Sequence, residues 1–477
     1  MTQLLLLVQY LLSKQLQLLS YVIWQSEGGG LVNVEVHKFG GSCLKTSDDL
    51  TSIYHRLCNV SAKPVVVISA LWGVTDRLLR AIEIPSQRED IADEIRQRHL
   101  VMSPSLEDGD FTHRFEELMA LLVNDLKKLE SESAGAAIEH RILAYGEQLS
   151  ALVVASELCV KGLNARPVNA EDLRLIIDTK VNERSIDLQV SAKKMNRSLL
   201  FDIHIPIVTG WYGVDEEGVI RVLDRGGSDV TASTLAYLLQ ADQLVLWKDV
   251  EGILTINPRW GIGGKRVPYL GYSEANALAN LGTTILHPTC LKPVEELGIP
   301  VILTSLKTES EGTIVGPDLH LSPPSVQAIA SQESVRMLVI ECGNESNTSS
   351  IARNALSQLI DAGVSPWSIQ STNDRIELIV SDKDAAVAFS CLHQTTGVEL
   401  KMGHLSGVLS LVGAGISDEC GDLVEQVSHA LAGIELALHS VLRSKSVIHF
   451  LIDGELISQA LLEVSRILDL RQDSLIQ

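Results

Sequence analysis

The stretch Val34-Glu-Val-His-Lys-Phe-Gly-Gly-Ser-Cys43 predicts a short strand, Val34 to Phe39, that ends in a paired-glycine turn beside Lys38. A helix is expected after this turn because Ser47 offers an N-cap oxygen and two aspartates follow it. Backbone N–H groups converge where a strand, a glycine turn and a helix start meet, and they can bind phosphate oxygens there. The lysine adds the point positive charge that phosphate sites use. Because an ordinary turn has the same pattern, the rest of the chain has to decide between the two interpretations.

The composition is that of a globular protein with several domains. The chain has 477 residues, of which 45% are hydrophobic and 21% charged, so two to four domains are expected. Its net charge of −21 argues against a nucleic-acid partner, because phosphate backbones recruit an excess of lysine and arginine. The seven cysteines are scattered without a CxxC pair, which indicates a cytoplasmic, reducing location and predicts neither a disulfide framework nor a zinc site.

The N-terminal extension, residues 1–31, has an unusual composition. Leu4 to Trp24 is rich in leucine and long enough to span a bilayer, but Lys14 at its middle costs about 2.5–3.5 kcal/mol on insertion scales. No basic region precedes the stretch and no small-residue cleavage site follows it. We therefore expect an accessory helix, or residues added by a start codon placed too far upstream, rather than a membrane anchor.

Two kinds of pattern divide the remaining chain. Apolar, β-branched runs alternate with helical patterns up to about residue 306, which predicts a mainly parallel sheet sandwiched by helices over residues 32–308. Residues 309–325 have the composition of a polar linker. Two shorter units follow, 326–400 and 401–477, each with a strand–helix–strand–strand pattern. We interpret them as small α+β domains of regulatory rather than catalytic size.

A second glycine turn, Asp224-Arg-Gly-Gly-Ser-Asp229, also opens a small-residue helix and carries charges of both signs. One interpretation is a structural turn with an arginine–aspartate pair. The other is a clamp for a zwitterion, in which Arg225 binds a carboxylate bidentately while Asp229 and Glu147 receive an ammonium group. Glu147 lies on an otherwise small and apolar helix face, where a buried carboxylate needs a partner such as a substrate amine.

A third polar stretch follows the predicted strand Gln243–Trp247. Lys248, Asp249 and Arg259 belong to this loop, at the C-terminal end of a parallel strand, where open α/β sheets bind ligands. His287, farther along the chain, is interpreted as a packing or capping residue and is left out of the chemistry.

Six motifs, taken in order, together resemble the successive motifs of the aspartokinase family. They are Lys38-Phe-Gly-Gly-Ser42, Ser69-Ala-Leu-Trp-Gly-Val-Thr-Asp76, Gly146-Glu-Gln-Leu-Ser150, Arg225-Gly-Gly-Ser-Asp229, Trp247-Lys-Asp-Val-Glu-Gly-Ile253 and Leu286-His-Pro288. The resemblance covers residues 34–306, and the two C-terminal units resemble the paired ACT domains of that family. It implies the amino-acid kinase fold and the ATP-dependent conversion of L-aspartate to 4-phospho-L-aspartate, the first step toward lysine, threonine and methionine.

The resemblance also implies roles for individual residues. The transferring phosphoryl group would be held by Lys38, Gly40 and Gly41. L-Aspartate would be bound by Ser69, Thr75, Glu147, Arg225 and Asp229. ATP would be bound by Lys38, Gly41, Ser42, Lys248, Asp249 and Arg259, and Mg²⁺ would bridge its phosphates without an assigned protein ligand.

Three departures from the family pattern concern the nucleotide side. The usual Thr-Ser after the glycines is Ser42-Cys43, which keeps one hydroxyl. Thr284 stands where a nucleotide-contacting lysine is common, and Lys248, in place of a common threonine, is a candidate to compensate. Leu254 stands where an aromatic residue often lies by the adenine. We therefore expect an intact aspartate site and an atypical ATP site.

The resemblance implies partners as well as substrates. An amino-acid effector, lysine or threonine, would bind at the ACT-like units, and these units would join the chain into a homodimer or a larger homo-oligomer. No fused homoserine dehydrogenase domain is expected. Two alternatives stay open: a catalytically weak amino-acid sensor with the same fold, and a sibling amino-acid kinase that phosphorylates glutamate or acetylglutamate.

Overall fold

The computed structural model describes residues 33–129, 135–179, 184–224, 226–281, 286–319, 325–342, 348–396, 399–416 and 421–472. Three sequence predictions concern residues outside these ranges: the N-terminal extension, the carboxylate-binding role of Arg225 and the departure at Thr284.

A large mixed sheet organises the N-terminal part of the protein. The first twelve strands are β1 (Val34–Phe39), β2 (Lys63–Ile68), β3 (Ala165–Val168), β4 (Ile177–Asp178), β5 (Ser185–Ile186), β6 (Ile205–Thr209), β7 (Tyr212–Val214), β8 (Ile220–Val222), β9 (Gln243–Lys248), β10 (Tyr269–Gly271), β11 (Val301–Ser305) and β12 (Thr313–Gly316). Eight of them form the sheet in the order β10-β12-β11-β9-β1-β2-β6-β3. The strands from β11 to β3 are parallel to one another, whereas β12 pairs antiparallel with β11.

Helices cover both faces of this sheet. In the described residues of this part, the helices are α1 (Ser47–Cys58), α2 (Val74–Glu83), α3 (Arg88–Met102), α4 (Thr112–Lys128), α5 (Ala136–Val160), α6 (Ala170–Leu173), α7 (Leu188–Lys194), α8 (Gly227–Leu239), α9 (Tyr272–Asn280) and α10 (Pro288–Leu297). The four consecutive residues Val65 to Ile68 of β2 are completely buried, which requires cover on both faces and explains their continuous apolar run. Within the described residues, α5 is long and apolar enough to cross a membrane, but 89% of its apolar window is buried inside the protein.

The parallel register brings the predicted site residues to one edge of the sheet. Phe39, the last residue of β1, lies opposite Ile68 of β2 and Trp247 of β9. The residues that follow these three strand ends are therefore neighbours, although more than 200 positions separate the first strand end, Phe39, from the last, Trp247. The glycine turn after β1 and the beginning of the loop after β9 meet at this edge.

A second, antiparallel sheet forms the C-terminal part. Its strands are β13 (Ser325–Glu341), β14 (Ser368–Ser371), β15 (Arg375–Ser381), β16 (Glu399–Ala414), β17 (Leu438–Ser444) and β18 (Val447–Asp453), in the order β14-β15-β13-β16-β18-β17. Its helices are α11 (Thr348–Asp361), α12 (Asp382–Thr396), α13 (Gly421–Gly433) and α14 (Ile457–Ile467). A mainly parallel sheet between helices, followed by a small α+β region, confirms the predicted fold class.

The two C-terminal units share their central strands, which the sequence did not predict. The first half of the long strand β13, Ser325–Gln332, pairs with the end of β16, whereas its second half pairs with the beginning of β16 and with β15. One unit therefore contains residues 335–406, and the other combines residues 325–332 with the chain from 408 onward. The domain boundary that the sequence predicted between residues 400 and 401 lies inside β16. This strand is long enough for its beginning to belong to one unit and its end to the other.

Two further elements differ from the sequence prediction. Strand β12 belongs to the large sheet although it lies within residues 309–325, which were expected to form a linker. Helix α12 was not predicted at all. Its buried apolar positions include two alanines, Ala385 and Ala388, and such small side chains give only a weak periodic signal.

Candidate active site

Two lysines and one aspartate form a buried ionic cluster at the strand ends. Lys38 Nζ lies 2.6 Å from Asp229 Oδ1, and Lys248 Nζ lies 2.8 Å from Asp229 Oδ2. The three side chains are only 7%, 16% and 8% exposed in the order Lys38, Lys248 and Asp229. Lys38 comes from β1, Lys248 from the end of β9 and Asp229 from the first turn of α8. The cluster has one more positive than negative charge, which suits an anionic ligand.

Burial and ion pairing act in opposite directions on these groups. Burial alone would raise the pKa of Asp229, but the two ammonium groups outweigh it and hold this pKa well below its usual value. Burial would lower the pKa of Lys248, but the charge of Asp229 outweighs burial and raises it. For Lys38 burial is the stronger effect, and its pKa is lowered despite the contact with Asp229. Asp229 is therefore ionised at neutral pH.

The paired glycines leave space beside this cluster. A Cβ atom on Gly40 would lie 3.0 Å from Lys38 Nζ, and one on Gly41 would lie 3.3 Å from the carbonyl oxygen of Ala70. The next residues form a short 3₁₀ turn, Gly41–Cys43, and Cys43 Sγ donates to the carbonyl oxygen of Trp247 over 3.4 Å. The turn is thus fixed against β9, with its backbone next to the lysines.

A cavity of about 780 Å³ lies next to the cluster. Lys38, Ser69, Thr75 and Glu147 line it together with residues 226–228 of the second glycine turn. Ser69 Oγ donates to Ser228 Oγ over 3.0 Å, which joins the end of β2 to the start of α8. The structure therefore brings the described members of the predicted aspartate site together around one space, apart from Asp229, which contacts the two lysines.

Glu147 is the unusual group in this cavity. It is 2% exposed; its Oε1 accepts a hydrogen bond from the backbone N–H of Ala70 over 3.1 Å, and its Oε2 has no hydrogen-bond partner among the described residues. Burial raises the pKa of Glu147 to about 8. Gly146, the preceding residue, lets α5 approach this closely, because a Cβ there would lie 3.1 Å from the Cβ of Ala70. A buried carboxylate with one free oxygen is a suitable partner for a ligand cation.

The sequence analysis missed four side chains that also line the cavity: Trp211, His140, Arg184 and Asp224. Arg184 Nη2 donates to Asp224 Oδ1 over 3.1 Å, and its Nη1 lies 2.9 Å from His140 Nε2. Trp211 has a φ of 68°, which is uncommon for a bulky residue. Trp211 directly follows Gly210, the glycine after the end of β6. A residue after a strand and a glycine is a position that the sequence pattern can identify. Arg184 belongs to a short hairpin, and no local pattern connects it with the cavity.

The other predicted nucleotide residues are spread along the loop after β9. Asp249 is half exposed and its Oδ2 lies 3.6 Å from Lys45 Nζ. Arg259 lies farther away, with its guanidinium donating to the carbonyl oxygen of Ser331 on β13 over 3.1 Å. Leu254 is half-buried in the same loop. The structure thus brings Lys248 to the ionic cluster but does not bring Arg259 to it.

His287 supports the second glycine turn, as the packing interpretation predicted. Its ring lies against Gly226, where a Cβ would come within 2.8 Å of the His287 Cβ. Gly226 has a φ of 79°, so this position favours glycine for both its backbone conformation and its limited space. His287 Nδ1 is 2.8 Å from Thr289 Oγ1 in the first turn of α10.

Comparisons with known proteins identify the family of this chain and its relatives. A family model described as "Amino acid kinase family" matches residues 33–305. The chloroplastic bifunctional aspartokinase/homoserine dehydrogenase 2 of Arabidopsis thaliana is 24% identical, over 86% of this chain and 47% of its own length. Lysine-sensitive aspartokinase 3 of Escherichia coli is 26% identical, over 88% of this chain and 96% of its own length. The chain spans about half the length of the plant relatives it matches, 47% of one and 56% of another.

Solved structures show the same fold. The crystal structure of E. coli aspartokinase III in complex with aspartate and ADP has a TM-score of 0.74 at 23% identity, and the match covers 91% of this chain and 99% of that chain. Aspartate kinase from Clostridium acetobutylicum also has a TM-score of 0.74, at 21% identity and with the same coverage. The fold of this chain is therefore shared with proteins of solved structure over 91% of its length.

Proposed function

Because this chain belongs to the amino acid kinase family, we propose that it is an aspartate kinase, which transfers the γ-phosphate of ATP to the side-chain carboxylate of L-aspartate. The observation that carries the proposal is the pairing of two different sites at one sheet edge. A cluster with excess positive charge adjoins a cavity that contains a buried glutamate with a free oxygen. The first suits a phosphoryl group and the second suits an amino group.

L-Aspartate would bind in the cavity through its amino and carboxylate groups. Glu147 Oε2 would accept the ammonium group, which would compensate the burial of this carboxylate. Ser69, Thr75 and the backbone of Gly226 and Gly227 line the remaining space. Arg225, between Asp224 and Gly226 in the sequence, is proposed to bind the substrate α-carboxylate bidentately.

The chemistry needs alignment and charge neutralisation rather than a general base. A side-chain carboxylate with a pKa near 4 is already ionised at neutral pH, so it can attack phosphorus directly. Lys38 and Lys248 would neutralise charge on the transferring group, and the N–H groups of Gly40 and Gly41 would hold its oxygens. Asp229 was predicted to bind the substrate amine. Its two ion pairs favour a different role, in which it fixes the distance between the lysines.

The nucleotide would lie over the loop after β9. Lys248 reaches the cluster from the strand end, which supports its proposed compensation for the threonine at 284. Ser42 and Asp249 lie at the same edge, whereas Arg259 would have to leave Ser331 to reach a phosphate. The residues present fit a metal–nucleotide complex because the cluster attracts phosphate oxygens. Mg²⁺ would supply further charge neutralisation while held by the phosphates, and we assign it no protein ligand.

An assay of aspartyl hydroxamate formation tests the proposal. The full chain is incubated with ATP, Mg²⁺ and L-aspartate in the presence of hydroxylamine, and parallel reactions contain L-glutamate or N-acetyl-L-glutamate. We expect product with aspartate alone. Product with glutamate or acetylglutamate but not aspartate would assign the chain to a sibling kinase. Tight amino-acid binding without turnover, unaffected by Lys38→Ala, would instead support a sensor.

Regulation and assembly are part of the same proposal. The two C-terminal units have the size and form of effector-binding domains, and lysine or threonine is the proposed effector. We propose that these units also join the chain into a homodimer or a larger oligomer, and that the enzyme is cytoplasmic. Inhibition of the hydroxamate assay by each amino acid, together with the mass of the assembly in solution, tests these points.

A further inference from the structure

The chain beyond the last helix contacts a loop of the kinase domain. We call residues 469–472 the C-terminal tail and residues 253–267 the nucleotide loop. Thr255 Oγ1 in the loop donates to the carbonyl oxygen of Leu470 over 2.5 Å, and the N–H of Gln472 donates to the carbonyl oxygen of Gly263 over 3.0 Å. Lys265 Nζ lies 2.9 Å from Asp469 Oδ1. The tail therefore binds both sides of the loop.

The two sides of the nucleotide loop are joined to each other by a small set of hydrogen bonds, and a 3₁₀ turn, Pro258–Trp260, lies at its tip. The N–H of Thr255 donates to the carbonyl oxygen of Lys265 over 2.8 Å, and the N–H of Val267 donates to the carbonyl oxygen of Ile253 over 2.8 Å. The N–H of Lys265 donates to Thr255 Oγ1 over 2.9 Å. A two-stranded element of this size is marginally stable alone, so its conformation depends on what it packs against.

Strand β13 supports the loop from another direction. The N–H of Ile329 donates to the carbonyl oxygen of Thr255 over 2.7 Å, and Arg259 donates to the carbonyl oxygen of Ser331. Ile256 is 1% exposed and packs in the hydrophobic core of the second C-terminal unit, together with Ile329. The middle of the loop is thus held between β13 and the tail, both of which belong to that unit, whereas both ends of the loop are bonded to Thr313 of β12.

The tail is itself fixed to the second unit. Asp469, two residues after the end of helix α14, has a φ of 52°, and the N–H groups of Asp469 and Leu470 donate to the carbonyl oxygens of Arg466 and Ser465. This is the pattern of a Schellman helix end. Leu470 is 7% exposed and packs in the same core as Ile256. Any movement of α14 would therefore be transmitted to the tail.

We propose that the C-terminal tail is a positioning element for ATP binding, which holds the backbone of the nucleotide loop in its binding conformation; only the Arg259 side chain would then have to turn from Ser331 toward a phosphate. The inference rests on the proposed function, since it assigns the loop carrying Leu254 and Arg259 to the nucleotide. When the tail is bound, the loop is ordered; when the tail is lost, open conformations of the loop become populated. The apparent affinity for the nucleotide is then reduced in proportion to the fraction of molecules whose loop keeps the binding conformation. None of the described residues that line the proposed aspartate cavity belongs to the tail, so aspartate binding does not depend on it.

The test compares full-length Thr255→Val with a chain that ends after Leu468. Thr255→Val keeps the side-chain shape but removes the hydroxyl that joins tail and loop, and with it the acceptor of the Lys265 N–H within the loop. The truncated chain leaves that second hydrogen bond in place and so isolates the loss of the tail. Thr255→Ser keeps the hydroxyl and serves as the rescue variant. Lys445→Ala is the matched control, because Lys445 forms another contact between the two parts of the protein, an ion pair with Asp318 at 3.1 Å, away from the loop.

Three quantities are measured for each variant: the Kd for ADP by calorimetry, the KM for L-aspartate, and hydrogen exchange of residues 253–267. We expect the Kd for ADP to rise about 2- to 10-fold in Thr255→Val, the effect of one tertiary hydrogen bond, and further in the truncated chain. Hydrogen exchange in the loop should accelerate in both variants, while their KM for aspartate stays unchanged. In the control proteins Thr255→Ser and Lys445→Ala, all three quantities should equal those of the unaltered chain.

Unchanged ADP affinity and unchanged exchange in both variants would overturn the inference. So would an equal weakening of ADP and aspartate binding, which would indicate general destabilisation. Failure of the proposed function is distinguishable, because it would appear as absence of aspartate phosphorylation in the unaltered chain. Exchange in the loop reports on the tail contact independently of that activity.

Discussion

The aspartate cavity and the nucleotide loop lie at the same edge of one sheet, but they are built differently. The cavity is assembled within the kinase domain, from a strand end, helix α5 and a glycine turn that is supported by His287. The middle of the nucleotide loop is held by β13 and the C-terminal tail, whereas its two ends, Ile253 and Val267, pack in the core of the large sheet. One site is thus stabilised by its own domain, and the other depends in part on the regulatory-sized units. A change in those units should therefore affect ATP before it affects aspartate.

The largest effect is expected at the point where the two regions meet. Lys38→Met should lower kcat about 10²–10³-fold, because it removes a preorganised positive charge from the transferring phosphoryl group. Steady-state kinetics measure this loss. Lys63→Met, at the opposite end of β2, is the control and should retain normal kcat. Full activity of Lys38→Met would exclude the proposed role of this lysine.

Removing the charge of Glu147 should affect the aspartate side alone. Glu147→Gln is expected to raise the KM for L-aspartate about 10- to 100-fold, since a hydrogen bond to a charged group is worth about 1.5–3 kcal/mol. The KM for ATP should stay unchanged. Glu171→Gln provides a control, because Glu171 is half-buried and bonds Tyr212 and Gln148 outside the cavity. Equal changes in both KM values would contradict the separation of the two regions.

The raised pKa of Glu147 predicts a pH dependence with a definite sign. Below pH 8 the carboxyl group is increasingly protonated and cannot pair with an ammonium group. The KM for aspartate should therefore fall as the pH rises from 6 to 8, approaching about tenfold per unit. Between the pKa of Glu147 in the unfolded chain and pH 8, the carboxyl group of Glu147 binds more protons in the folded protein than in the unfolded chain. The contribution of Glu147 to the free energy of unfolding therefore decreases as the pH rises through this range. Initial rates across this range, with Glu147→Gln as the variant that should lose the dependence, check the prediction.

The smallest effect is expected from restoring an aromatic residue to the nucleotide loop. Leu254→Tyr should lower the KM for ATP about 2- to 10-fold, because stacking is worth about 0.5–1.5 kcal/mol. The KM for aspartate should not change. Tighter ATP binding would show that the departure at Leu254 weakens the nucleotide side, and an unchanged value would show that the adenine lies elsewhere.

Local patterns were sufficient where each residue's role depends on its immediate neighbours. Lys38 with its two glycines, Glu147 after Gly146 and the second glycine turn could all be recognised from the chain. Arg184, His140 and the C-terminal tail could not, because their contacts join positions that are far apart and have no local periodicity. The role of Asp229 also depended on tertiary structure. Its place after a glycine turn suggested a substrate amine, whereas the fold places it between two lysines.

The sequence by itself predicted the alternation of strands and helices over residues 32–308, the glycine turn at Val34–Cys43 and the part of the cavity lining that Ser69, Thr75 and Glu147 contribute. These features follow from hydrophobic periodicity and backbone geometry, which act over a few residues. Only the tertiary structure decided that β13 and β16 serve two units at once, and that residues 469–472 hold a loop more than 200 positions earlier. Such contacts depend on the packing of whole sheets, which no short stretch of sequence encodes.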